Sequence, residues 1–131
     1  FARSETLKQN APVHVHFQAE DSGASWCLGA DDDTSTACDC KDNPGNCQVA
    51  GQGNRVVANG LPSTSRRPYG NVRMSNTFAS GTTEFEPIRG LPKNAGSVTL
   101  VSPGGDQLQI VLSILGRLRV CGTLVGYESC T

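Results

Sequence analysis

The sequence predicts an α+β fold in which a short N-terminal helix packs on an antiparallel β-sheet, with a Cys-rich loop between them in the chain. Three observations carry this expectation. Residues 1–10 contain no Gly or Pro, and Glu5 stands three residues before Lys8, the spacing of a helical ion pair. Residues 97–101 and 107–115 are β-branched and alternating, and Ser-Pro-Gly-Gly-Asp joins them, as in a β-hairpin. The 131-residue chain has 15 Gly, 7 Pro and only 5% aromatics, which disfavours a helix bundle. That length suits one globular domain over residues 1–131.

Phe1, Thr6 and Leu7 can share one side of the first helix, which Asn10 and Pro12 end. So short a helix is marginal in isolation, so residues 1–10 are expected to be the end of a longer one. The sequence starts without Met and shows no signal-peptide core. It also has no apolar run of about 18 residues, as a membrane span would need. A processed or cut chain is expected.

Val13 to Phe17 alternate, with Val13, Val15 and Phe17 on one strand face and His14 and His16 on the other. Residues 20–54 hold four of the six Cys among many Gly, Asp, Asn and Ser. They read as a loop held by disulfides, with one short strand at Ser25 to Leu28. Arg55 to Ala58, Val72 to Met74 and Thr83 to Phe85 are short strands, and Gly60, Pro62, Pro68 and Gly70 make 59–71 a loop. Gly116 breaks the run that begins at Gln107. Beyond it, Leu118 and Val120 are expected to face the core while Arg117 and Arg119 leave the opposite face together.

The formal net charge of −1 is unevenly spread. Residues 1–50 carry 3 basic and 8 acidic side chains, and residues 51–131 carry 8 basic and 4 acidic. The basic second part permits an anionic partner.

Few residues suggest reaction chemistry. Ser, His and Asp are present, but no nucleophile motif surrounds any Ser. Glu84 and Glu86 lie two apart without a marked pocket, and Gly51-Gln52-Gly53 lacks the helix that a phosphate loop needs. An enzyme is not expected, nor a cofactor. His14 with His16 is a candidate metal pair, although solvent-facing histidines are the simpler reading. Asp31-Asp32-Asp33 with Thr34 has oxygens for calcium but no EF-hand spacing, so a solvated acidic loop is expected. Cys27, Cys38, Cys40 and Cys47 could bind zinc, but they lack the usual paired spacing. Six cysteines in so short a chain point instead to an oxidising compartment and up to three disulfides, which can pair in about 15 ways. Cys38 and Cys40 are too close to bridge each other comfortably.

Segments at the two ends resemble one family. Phe1-Ala2-Arg3-Ser4-Glu5-Thr6-Leu7-Lys8, followed by Pro12-Val13, is similar to the segment of GspH/FimT-type pilin-like proteins where the long N-terminal helix gives way to the first strand. Gln109 to Cys121, with Gly116-Arg117-Leu118-Arg119 inside it, resembles that family's final strand. Phe85-Glu86-Pro87-Ile88-Arg89-Gly90 is similar to its Phe-x-Pro-x-Gly turn, with one extra residue before the Gly. Thr6 stands where the family usually has Ala, and the Cys-rich segment at 26–47 has no counterpart that can be placed.

The resemblance implies a type IV pilin-like head that has lost its apolar anchor helix. It implies a minor pilin of a type IV pilus that works in assembly and in associated motility, adhesion or DNA uptake, or else a type II secretion pseudopilin. Expected partners are other minor and major pilins, with the membrane touched only through the missing helix. The expected location is periplasm and inner membrane, then the extracellular pilus. Pilins often close a C-terminal loop with a disulfide, which implies Cys121 with Cys130. Cys27 would then pair with Cys38 or Cys40, and Cys47 with the other. In the FimT branch a C-terminal basic motif is implicated in binding DNA, which transfers onto Gly116, Arg117 and Arg119. Arg66, Arg67 and Arg73 could extend that patch. The competing expectation is that these arginines pair with Glu84, Glu86 or a neighbouring subunit.

Overall fold

The computed structural model describes residues 1–32, 35–61 and 66–130. Helix α1 spans Ala2–Gln9 and ends where Asn10 turns left-handed at φ 54, a conformation Asn tolerates. Among the described residues eight strands follow: β1 (Val13–Glu20), β2 (Ser25–Asp31), β3 (Val56–Asn59), β4 (Arg73–Asn76), β5 (Thr82–Phe85), β6 (Gly96–Val101), β7 (Gln107–Leu112) and β8 (Leu118–Gly122). They build two antiparallel four-stranded sheets, ordered β3-β2-β1-β5 and β4-β6-β7-β8. The expectation of a single sheet is thus corrected. Turns broke the central region into short strands, and their partners are remote in sequence: Val13 pairs with Phe85, and Trp26 with Asn59.

One core lies where the two sheets face each other. Trp26 and Phe85 come from the first sheet and Met74, Val98 and Leu112 from the second, with Phe78 between them. Phe17 stacks on Phe78 at 5.1 Å. Gly96 leaves room for that ring, since a Cβ there would lie 2.5 Å from Phe78 Cδ1.

A second core forms around the Cys-rich segment. Strand β2 runs to Asp31, three residues beyond its expected end at Leu28. Disulfides join Cys27 to Cys40 and Cys38 to Cys47, and these sulfurs pack with Leu61. Gly29 is what lets the segment lie flat on β2, because a Cβ there would sit 2.5 Å from Cys38 Sγ and 2.9 Å from Cys47 Sγ.

Three further expectations need correction. The run 107–115 stops at Leu112, and residues 113–117 turn through bonds from Ser113 N–H to the Arg117 carbonyl and from Gly116 N–H to the Ser113 carbonyl. Arg117 therefore precedes β8 and does not share its strand with Arg119. Leu118 and Val120 do not enter the core. They share a sheet face with their partners Leu112 and Ile110, but β8 is an edge strand, Leu118 lines the open space between the sheets, and the two are 70% and 39% exposed. Thr6 on α1 is buried, while Leu7 and the preceding Phe1 are exposed.

Candidate functional site

An apolar groove of about 880 Å³ opens between the sheets. Val15, Phe17 and Leu28 form one wall, Leu100 and Ile110 the other, and Phe1 stands at its mouth. The alternation of β1, β2, β6 and β7 builds these walls, since every second residue faces inward. No cluster of three or more His, Cys, Asp or Glu able to hold a metal exists among the described residues.

The three segments that carry the family resemblance meet at the end of this groove. Arg3 Nη1 donates to the Gly116 carbonyl at 3.4 Å. Gly90 takes a left-handed φ of 66 and lies so close to α1 that a Cβ would touch Arg3 Cγ at 3.1 Å and Leu7 Cγ at 3.2 Å. The Thr6 hydroxyl has the carbonyls of Ala11 and Phe85 within reach, at 2.5 and 2.9 Å. It thus ties α1 to β5, a role that Ala at this position would not fill.

Asp31, His14 and His16 form a largely buried hub. Asp31 is only 1% exposed and accepts His14 Nδ1–H at 2.9 Å and His16 Nε2–H at 2.8 Å. It also accepts the Cys38 backbone N–H at 2.6 Å. Burial pushes its carboxyl pKa upward. The hydrogen bond from His16, the Cys38 N–H, the charge of His16 and the His14 bond together outweigh that and hold it below the usual 3.8. The expectation of solvent-facing histidines is corrected, because β2 continues far enough to bring Asp31 opposite His14. The solvated acidic loop is corrected at Asp31 for the same reason. Asp32 spends Oδ2 on the Ala50 N–H at 2.7 Å. Asp33 and Thr34, the rest of the calcium candidate, lie outside the described residues. The zinc alternative fails because all six cysteines are in disulfides.

At the C-terminus, Cys121 is joined to Cys130. The tail is further held by the bond from Gly122 N–H to the Glu128 carbonyl and by the ion pair of Arg119 with Glu128 at 3.0 Å. The loop so closed presents Leu124, Val125 and Tyr127 to solvent, with Val125 fully exposed.

The candidate arginines are not gathered in one patch. Arg73 lies on β4 and Arg119 on β8, at opposite edges of the second sheet. Arg73 Nη1 donates to the Asp21 and Ser22 carbonyls, and Arg67 Nη1 to Ala24. The carbonyl of Arg66 accepts the Gly60 N–H. The expected pairing of these arginines with Glu84 or Glu86 is corrected. Glu84 pairs with Lys93 at 2.9 Å and Glu86 with Arg89 at 3.6 Å. Glu86 lies past the end of β5, so the two glutamates do not share a strand face.

The chain is a disulfide-stapled β domain of two antiparallel sheets, with a short helix at the mouth of an apolar groove. A family model described as "Type II transport protein GspH" matches residues 1–116. The chain belongs to this family of envelope pseudopilins, structural proteins that assemble with other pseudopilins or pilins. The match includes the Cys-rich segment and stops at Gly116, so Arg117, Arg119 and the C-terminal disulfide lie beyond it. No curated protein and no solved structure matches the chain. No helix among the described residues is long and apolar enough to cross a membrane.

Proposed function

We propose that this chain is the head of a minor pilin of a type IV pilus. In the full-length protein, α1 is continued upstream by an apolar helix that passes over the groove, anchors the subunit in the inner membrane and then enters the filament core. The open groove with Phe1 at its mouth carries this reading. It is an apolar surface at the head of the chain's own helix, and apolar surface left in water is costly. The disulfide-closed C-terminal loop favours a pilus subunit over a type II secretion pseudopilin. Other minor and major pilins are the partners, and the head passes from periplasm to extracellular filament. A deletion strain tests the role: piliation and twitching should fall, and the full-length gene should restore them. Normal piliation and twitching without the gene would overturn the reading.

A second reading, binding of duplex DNA for uptake, is favoured by one observation. Among the described residues, the Arg117 guanidinium has no ion pair or hydrogen bond. The contacts would go to phosphates and weaken with salt. In a gel-shift assay at low salt the head should retard duplex DNA, and Arg117→Glu with Arg66→Glu should reduce this. Absence of retardation at low salt would end this reading.

A further inference from the structure

Four strands end the two sheets, and three of their edges are obstructed. The chain returns beside β5, where Phe85 bridges Pro92 and the Lys93 N–H reaches the Glu84 carbonyl. Residues Asp21–Gly23 close on β4, with Gly23 so near that a Cβ would lie 2.4 Å from the Met74 carbonyl oxygen. The disulfide tail returns along the C-terminal half of β8, bonded at Gly122 and clipped at Cys121. Proteins usually protect their sheet edges because bare backbone groups recruit other strands.

Strand β3 is the exception. Its inner side pairs with β2 in the register Trp26 to Asn59 and Gly29 to Val56. The bond from Ala30 N–H to the Arg55 carbonyl makes residues 30 and 55 a hydrogen-bonded pair. Antiparallel pairs alternate, so Val57 and Asn59 bond to β2 while Val56 and Ala58 turn their N–H and C=O groups outward. No described element lies alongside them. The edge is flanked by Arg55 at one end and by Arg66 and Arg67 at the other, and residues 54–70 contain no Asp or Glu.

We propose that the outer edge of β3 is an acceptor site for one extended segment of another polypeptide, added as a fifth strand to the first sheet and carrying acidic residues at its ends. The backbone groups of Val56 and Ala58 supply the recognition, as in other cases of strand addition. Arg55 is held over the Phe1 ring and Arg67 on the Ala24 carbonyl, and with Arg66 they set the positive field that selects the charge of the guest. A second copy of β3 is excluded as the guest, because antiparallel self-pairing sets Arg55 of one chain against Arg66 and Arg67 of the other. That the guest belongs to a neighbouring filament subunit rests on the function proposed above; the edge itself does not.

The test uses the 131-residue chain, isotope-labelled for NMR, and two capped peptides, Glu-Thr-Val-Thr-Val-Thr-Glu and the same sequence with Lys at both ends. The acidic peptide should shift the amides of Val56 and Ala58 first and bind at least tenfold more tightly than the basic one. Ala58→Pro removes one outward N–H and spares the β2 ladder, so it should abolish those shifts while the amides of β6 and β7 stay in place. Arg66→Glu leaves Arg55 and Arg67 in place, so it should narrow the peptide preference by about threefold, and it serves if the proline variant fails to fold. Shifts centred on another edge, equal binding of both peptides, no binding at millimolar peptide, or a dimer in sedimentation that Ala58→Pro abolishes would each overturn the proposal. Loss of peptide binding in a variant that still supports piliation removes the edge from the filament role. Normal piliation without the gene, with peptide binding intact, removes the filament role and leaves the edge.

Discussion

The backbone N–H of Cys38 donates to the carboxylate of Asp31 at 2.6 Å. The same carboxylate holds His14 and His16, so one buried side chain seats the Cys-rich segment on β2 and joins β2 to β1. Asp31→Asn keeps the shape but places an amide N–H against a donor. It should cost about 1–3 kcal/mol, the range for a spoiled buried polar group. Thermal unfolding at pH 7 checks this, and a melting temperature within a degree of the unsubstituted chain would contradict it.

The pH dependence has a definite sign. The Asp31 pKa is lowered in the folded chain, so the folded state binds the proton less well than the unfolded state. Its contribution is present above the unfolded value of about 3.9. It is lost as pH falls through the lower folded value. Acid melts should therefore show a loss of stability below about pH 4 that is shallower in Asp31→Asn.

Gly29→Ala probes how closely the disulfides lie on the sheet. The new Cβ would meet Cys38 Sγ at 2.5 Å and Cys47 Sγ at 2.9 Å, distances at which the segment must lift. We expect a loss of about 2–3 kcal/mol from overpacking. Limited proteolysis should cut within residues 35–47 faster than in the unsubstituted chain, and an unchanged digestion pattern would contradict the placement.

Ala50 and Gly51 form the tip of a two-residue turn closed by both bonds between Val49 and Gln52. Both have positive φ, 56 and 71, as a type I′ turn requires. Ala is poorly suited to that first position, whereas Asn tolerates it. Ala50→Asn should therefore stabilise by about 0.5–1 kcal/mol, and Ala50→Val should destabilise. Denaturant midpoints for the pair check the order.

Removing the C-terminal disulfide as the double variant Cys121→Ser with Cys130→Ser should have a local effect. So small a ring is worth about 2–3 kcal/mol by loop-closure entropy. The tail lies away from the main core of Trp26, Phe85 and Leu112. Hydrogen exchange should quicken at Gly122 and Thr123 and stay slow in β1 and β2. Global unfolding of the variant would contradict this.

Local pattern made part of this fold readable. The helix ending at Asn10, the alternation from Val13 and the hairpin of β6 and β7 all follow from neighbours in the chain. The two-sheet division was not readable, because β5 pairs with β1 across about seventy residues and its four residues carry little periodicity. Asp31 was hidden for a related reason: a carboxylate among three consecutive Asp looks solvated until β2 is known to reach it. The histidines inherited the same error. Leu118 and Val120 alternate as core residues do, and only the position of β8 at an edge leaves them in water. At the candidate site, the family segments could be read in sequence, but the convergence of Arg3, Gly90 and Gly116 could not, since it needs the loops between them. The open edge of β3 has no local signature, because it is defined by what fails to cover it.

The most direct test of the central claim uses filaments sheared from cells that express the full-length protein or its Ile110→Asp variant, with the subunit quantified by immunoblot. Ile110 lines the groove and is only partly buried, so the head should stay folded while a charge enters the path proposed for an upstream helix. The subunit should be present in sheared filaments, and Ile110→Asp should be depleted from them at least tenfold while remaining in the cell envelope. Equal recovery of the variant in filaments, or absence of the unsubstituted protein from them, would contradict it.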